Sequence, residues 1–155
     1  MNQTRRSFLK GSSGATVLAL AASAGLIKID SAYAAWNEAA FKTRNLADTV
    51  KALGGQTATE SKDIMITSPD IAENGSVVPI SVTSKLGKTE TIAILVEKNP
   101  NSMTANFSIP SGTEPFVSTR VKMGQTSNVH ALVKAGGQYF YATKEIKVTL
   151  GGCGG

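Results

Sequence analysis

The sequence predicts a mainly β fold: an immunoglobulin-like β-sandwich with a short N-terminal helical segment and a flexible C-terminal arm. Three observations carry this expectation. Some seven or eight short runs, apolar or alternating, follow one another and are spaced by turn residues. Gly136-Gly137 lies between two of these runs, a two-residue hairpin signal. Once an N-terminal leader is set aside, about 120 residues remain, enough for one domain with one core. A small barrel is the structural alternative.

The first segment, residues 36–53, reads as helical. Asn45 is placed to cap a turn, with Asp48 three residues on in a capping-box-like position. Leu46, Val50 and Leu53 follow at helical spacing, and Gly54-Gly55 ends the element. Strand signals then take over. Residues 64–67 form a short apolar run closed by Ser68-Pro69. Residues 77–84 alternate at Val78, Ile80 and Val82, and Pro79, which has no N–H to donate, suggests an edge or a bulge. Residues 91–97 are apolar enough for a buried central strand, and Asn99-Pro100-Asn101 marks a turn. Runs at 106–109, 116–123 and 128–134 continue the series. In the last, Val129, Ala131 and Val133 share one face, and His130, Leu132 and Lys134 the other. Residues 138–142 follow the Gly-Gly hairpin, and Ile146, Val148 and Leu150 alternate in a final strand over 145–150.

The N-terminus predicts export. Thr4-Arg5-Arg6-Ser7-Phe8-Leu9-Lys10 is a twin-arginine signature, followed by a mildly apolar stretch and by Ala32-Tyr33-Ala34, a small-x-small cleavage pattern. Glycines, serines and Lys28 make that stretch weak for a spanning helix, which needs about 20 predominantly apolar residues. The expected organisation is a signal peptide at 1–34, a β-sandwich domain at 35–150 and an arm at 151–155, delivered to the bacterial periplasm. The chain carries a formal charge of +5, of which the leader holds +3 (Arg5, Arg6, Lys10 and Lys28 against Asp30). The mature part is thus only mildly basic. It shows no stripe of lysine and arginine interleaved with aromatics, so a nucleic-acid surface has no support. No membrane contact is expected once the leader is cleaved.

The chain ends Gly151-Gly152-Cys153-Gly154-Gly155, and Cys153 is its only cysteine. Glycine lacks a Cβ and visits backbone regions closed to other residues, so four of them make a leash around one thiol. From Leu150 to Cys153 the extended reach is about 10 Å. An exported protein with a lone cysteine has no internal disulfide; it forms an intermolecular bond or offers a reactive thiol. No base adjoins Cys153 in sequence, and an unperturbed thiol near pKa 8.5 is only a few per cent ionised at neutral pH. His130 is the single histidine and reads as a strand residue rather than a catalytic base. One cysteine and one histidine do not make the three or four ligands of a zinc site. Paired carboxylates, a phosphate loop and a nucleotide fingerprint are absent from the sequence. The expectation is therefore no metal, no cofactor and no catalytic residue, with Cys153 as a covalent attachment point and Gly151, Gly152, Gly154 and Gly155 as its arm.

The ending Val148-Thr149-Leu150-Gly151-Gly152-Cys153-Gly154-Gly155 resembles that of the SoxY family, sulfur carriers of the bacterial thiosulfate-oxidising Sox system. The twin-arginine leader and β-rich body agree, and residues 68–80 are similar to that family's first strands. The resemblance implies that Cys153 holds thiosulfate as a cysteine S-thiosulfonate. It implies a stable heterodimer with SoxZ and transient visits to SoxAX, SoxB and, where present, SoxCD. Phe116, Val117, Tyr139 and Tyr141 are candidate SoxZ contacts, with core packing the expected role for at least half of them. Two other readings stand beside this one. A ubiquitin-like sulfur carrier also ends in Gly-Gly, but export away from ATP argues against it. An interaction module would use Cys153 only for a disulfide-linked dimer.

Overall fold

The computed structural model describes residues 37–149; residues 1–36 and 150–155, with the leader, the arm and Cys153, lie outside the described residues. Two short helices come first, α1 (Glu38–Phe41) and α2 (Leu46–Ala52), where the periodicity suggested one helical stretch. The break falls at Asn45, whose extended backbone (φ −152°) ends one element while its side chain caps the next by accepting from the Asp48 N–H at 2.8 Å. Two buried threonine hydroxyls lock the corner, Thr43 Oγ1 lying 2.6 Å from Thr49 Oγ1. The end of α2 forms as the glycine pair suggested. Gly54 takes φ +86°, its N–H bonds to the Lys51 carbonyl and that of Gly55 to the Val50 carbonyl, the paired bonds of a Schellman cap.

The strands are β1 (Ala58–Glu60), β2 (Ile64–Thr67), β3 (Ile71–Ala72), β4 (Val78–Ser84), β5 (Thr89–Val96), β6 (Met103–Ser108), β7 (Phe116–Val121), β8 (Ser127–Ala135) and β9 (Gln138–Val148). They form two sheets. One has the order β1-β9-β8-β5-β6, with β3 also on β9; the other has the order β2-β4-β7. Ala135 pairs with Gln138 across Gly136 and Gly137, both at positive φ (55° and 77°), as a type I′ hairpin requires. The two runs expected at 138–142 and 145–150 are one continuous strand, β9, which is described as far as Val148. Both β1 and β3 pair with β9 in parallel, and neither was visible in the sequence pattern. Pro79 lies in β4, the middle strand of its sheet rather than an edge. β2 stops opposite Ser81, so at Pro79 the strand has a neighbour only on its β7 side, and a missing donor is tolerated there.

The sheets pack face to face as a sandwich. Val78, Ile80 and Val82 of β4 meet Ile92, Ile94 and Val96 of β5 and Val129, Ala131 and Val133 of β8 in the main core. A second cluster lies on the other face of the larger sheet, where Ala40 and Val50 of the helices cover Ala93, Leu95, Leu132 and Tyr139. This explains why β5 is apolar at every position from Ile92 to Val96: both its faces are buried. The register between β5 and β6 shifts after Ile94, and the extra residue, Thr104, bonds the Ile94 carbonyl through its hydroxyl at 2.9 Å.

Ile94 is fully buried at the centre of the sandwich. Truncating it as Ile94→Ala is expected to cost about 2–5 kcal/mol, read as a lowered midpoint in urea unfolding with an unchanged slope.

Candidate functional site

The C-terminus is presented by β9, and its last described turns are held from three sides. β8 supports β9 as far as Ile146, which pairs with Ser127. Beyond that point β3 takes over on the opposite edge: the Lys147 N–H bonds the Asp70 carbonyl (2.9 Å) and the Thr149 N–H bonds the Ala72 carbonyl (3.1 Å). The intervening Val148 N–H points back the other way, to Thr126 Oγ1 at 3.0 Å. Lys144 ties the β2–β3 connection to the same strand, donating to the Ser68 carbonyl at 2.7 Å and pairing with Asp70 at 3.0 Å. Gly75 closes the arrangement from below. A Cβ there would press onto the Met123 carbonyl oxygen and come within 2.8 Å of Val148 Cγ1. In the sequence this stretch stood out only by Ser68-Pro69, which closes a strand run, and by the family resemblance over residues 68–80. Lys144, Asp70, Thr126 and the steric need for Gly75 were not foreseen, because they depend on a pairing of residues 71–72 with 147–148.

Cys153 and Gly151, Gly152, Gly154 and Gly155 lie outside the described residues. The distance they span is bounded by chain length: four residues separate Thr149 from Cys153, at most about 14 Å.

His130 sits on the helix-covered face of the larger sheet, its side chain 14% exposed. Its Nδ1 is 2.8 Å from Thr143 Oγ1, and its Nε2 is 3.8 Å from Glu97 Oε2, an oxygen that also accepts from Asn128 Nδ2 at 2.9 Å. Tyr141 meets the imidazole edge-on, with centroids 6.4 Å apart. Burial pushes the imidazole pKa below its ordinary value, and the Glu97 charge opposes this only in part. His130 pairs with Thr143, six residues before Thr149, or ~20 Å along an extended strand at about 3.3 Å per residue. The described contacts of His130 are those of a strand residue, with Thr143, Glu97 and Tyr141. Among the described residues no group of three or more His, Cys, Asp or Glu is placed to hold a metal ion.

The four candidate contact residues separate. Val117 and Tyr139 are buried, the latter with its hydroxyl donating to the Leu53 carbonyl at 2.8 Å, so these two belong to the core and present no docking surface. Tyr141 is half-buried beside Leu46, Val50 and Ala58, where it lines an apolar groove of about 350 Å³. Phe116 is 47% exposed and lies in one cross-strand row with Thr83 and Met65 on the outer face of the smaller sheet. No helix among the described residues is long and apolar enough to cross a membrane.

Because the folded pKa of His130 is depressed, folding favours the neutral imidazole, and the unfolded chain takes up protons first as pH falls. Its contribution is therefore complete above the ordinary value of 6.5 and is lost as pH falls below it. Urea unfolding should show stability declining between about pH 7 and pH 5, with a shallower decline in His130→Gln.

Comparison with known proteins places this geometry in a family. A family model described as sulfur oxidation protein SoxY matches residues 49–153. The solved structure of the sulfur carrier protein SoxY from Chlorobium limicola f thiosulfatophilum is 36% identical, with a TM-score of 0.63, over 74% of this chain and 100% of that one. A superoxide reductase (neelaredoxin) from Ignicoccus hospitalis is 20% identical over 56% of this chain and 80% of that one, with a TM-score of 0.49, a likeness too slight to carry any argument. No curated protein sequence matches. The chain belongs to the SoxY family of sulfur carrier proteins.

Proposed function

We propose that the chain is a periplasmic carrier that holds thiosulfate-derived sulfur covalently on Cys153 and presents it to separate enzymes. The observation that carries this reading is the sequence at the end of β9: a strand held by hydrogen bonds through Thr149 continues into a glycine run with the only thiol of the chain. The match to the family model extends to position 153, in support of the same residue. Glycines on both sides let the backbone thread a narrow channel without side-chain collision.

The chemistry needs an external oxidant. The Cys153 thiolate and the outer sulfur of thiosulfate form a new S–S bond, and two electrons leave to the haem groups of SoxAX. Hydrolysis by SoxB then breaks the bond between that sulfur and the sulfonate. Water supplies the oxygen, sulfate departs, two protons are released and a persulfide stays on the arm. SoxCD, where present, oxidises that persulfide sulfur for a second hydrolysis. The carrier supplies no catalytic group to these steps. SoxZ is its stable partner, and twin-arginine export suits a pair that folds before it crosses the membrane. A free thiol in an oxidising compartment also forms disulfide-linked dimers.

Cys153→Ser separates this reading from a disulfide-linked interaction module. The variant should keep its fold and its SoxZ binding and lose all thiosulfate-dependent sulfate release, measured with the purified partner enzymes. Retained turnover would contradict the carrier reading, and loss of nothing but a covalent dimer would favour the module.

A further inference from the structure

The geometry points to residues 68–75 as a collar that positions the root of the arm, with Lys144 as the residue that closes it. This rests on the carrier reading above, and it assigns a task to a segment that reading leaves unused.

The collar acts on the exit of β9 and not on the core. Lys147 and Thr149, whose N–H groups it binds, are both exposed, and Val148 between them is only half-buried. β8 has already ended opposite Ile146, so no neighbouring strand supports β9 on that edge beyond this point. The collar itself is a two-residue strand, too short to hold its register alone. Lys144 supplies what is missing. Its ammonium binds the Ser68 carbonyl and the Asp70 carboxylate at once, and Asp70 is also the residue whose carbonyl accepts from Lys147. Ala72, on the core side, is buried in the sandwich and fixes the other end of the short strand. Gly75 lets the following turn lie against Val148 at a distance that any Cβ would forbid.

The consequence is a shorter lever. With the collar closed, the arm starts after Thr149 and four residues carry the thiol. With it open, the bond from the Val148 N–H to Thr126 Oγ1 is the one backbone tie left beyond Ile146 among the described residues, and once that frays the arm starts after Ile146 and seven residues carry the thiol. Effective concentration at a fixed target falls roughly as the −3/2 power of linker length, which gives about a twofold loss from this change alone. The three released residues must also be ordered again on each visit to an enzyme, which adds to the loss. The collar therefore lowers the concentration of carrier an enzyme needs without touching the reaction at sulfur.

The experiment uses the full chain with its stable partner, charged by tetrathionate: the Cys153 thiolate attacks one central sulfur, the central S–S bond breaks, thiosulfate leaves and the S-thiosulfonate remains. Amide hydrogen exchange at Lys147 and Thr149 is read by NMR. KM and kcat for sulfate release are measured with a hydrolase that acts on this adduct. Lys144→Met should lose protection at both amides while those of Ile94 and Val133 stay protected. It should raise KM for the charged carrier roughly two- to tenfold with kcat unchanged, and Lys144→Arg should restore both readings. Asp70→Asn, at a side chain that is 88% exposed, should move both readings in the same direction by less. Unchanged protection in Lys144→Met and Asp70→Asn would overturn the collar. Lost protection with unchanged KM would overturn its positioning role and leave the carrier reading standing. An unsubstituted charged chain that releases no sulfate would remove the carrier reading itself, and the collar's purpose with it.

Discussion

The hydrogen bonds that Lys147 and Thr149 donate to the carbonyls of Asp70 and Ala72 are the constraint on which the C-terminal end depends. A strand at the edge of a sheet exposes a row of unpaired donors and acceptors, and its end frays unless something takes them up. β9 is the longest strand of the described residues and lies outside β8, so its outer edge has to be covered. The chain does this in two pieces. β1 covers residues 139–141, then the backbone leaves to form β2 in the other sheet and returns as β3 to cover 147–148. Between the two pieces, the Lys144 side chain reaches across to the connecting loop.

The rest of the domain gives that strand something rigid to belong to. The larger sheet is buried on both faces, by the smaller sheet on one side and by the helices on the other. β5 and β8 therefore cannot slip register without exposing apolar side chains or burying Lys134 and His130 in the sandwich. The arrangement of His130 follows from this packing. The imidazole faces away from the sandwich, is largely covered, and bonds Thr143 on β9. It ties two strands together.

Much of this was legible in the residues, and the reasons differ by element. Asn45, Gly54-Gly55 and Gly136-Gly137 act through local backbone geometry, so their roles could be read without the fold. The continuous apolar run of β5 reports burial on both faces, and the alternation in β8 reports an apolar sandwich face backed by a mixed one, where Leu132 is buried beside the partly covered His130 and Lys134. What stayed hidden is non-local. β1 and β3 have three and two residues, carry no period of their own, and exist because β9 lies beside them. The same holds at the site. Cys153 stands out as a lone thiol among glycines, whereas Lys144 and Gly75 look like ordinary surface and turn residues until residues 71–72 and 147–148 are paired. Val117 and Tyr139 show the opposite limit, since an apolar residue in a strand does not announce which face it takes.

The division of labour proposed for the chain is a rigid body that carries no chemistry and a terminal thiol that carries all of it. Mass spectrometry of the C-terminal peptide, after the intact chain has met thiosulfate and the oxidising partner enzymes, tests this most directly. A carrier gives a peptide whose mass has risen by one thiosulfate group, localised to Cys153 and removed by reductant. A chain that turns over with those enzymes while Cys153 stays unmodified would contradict it.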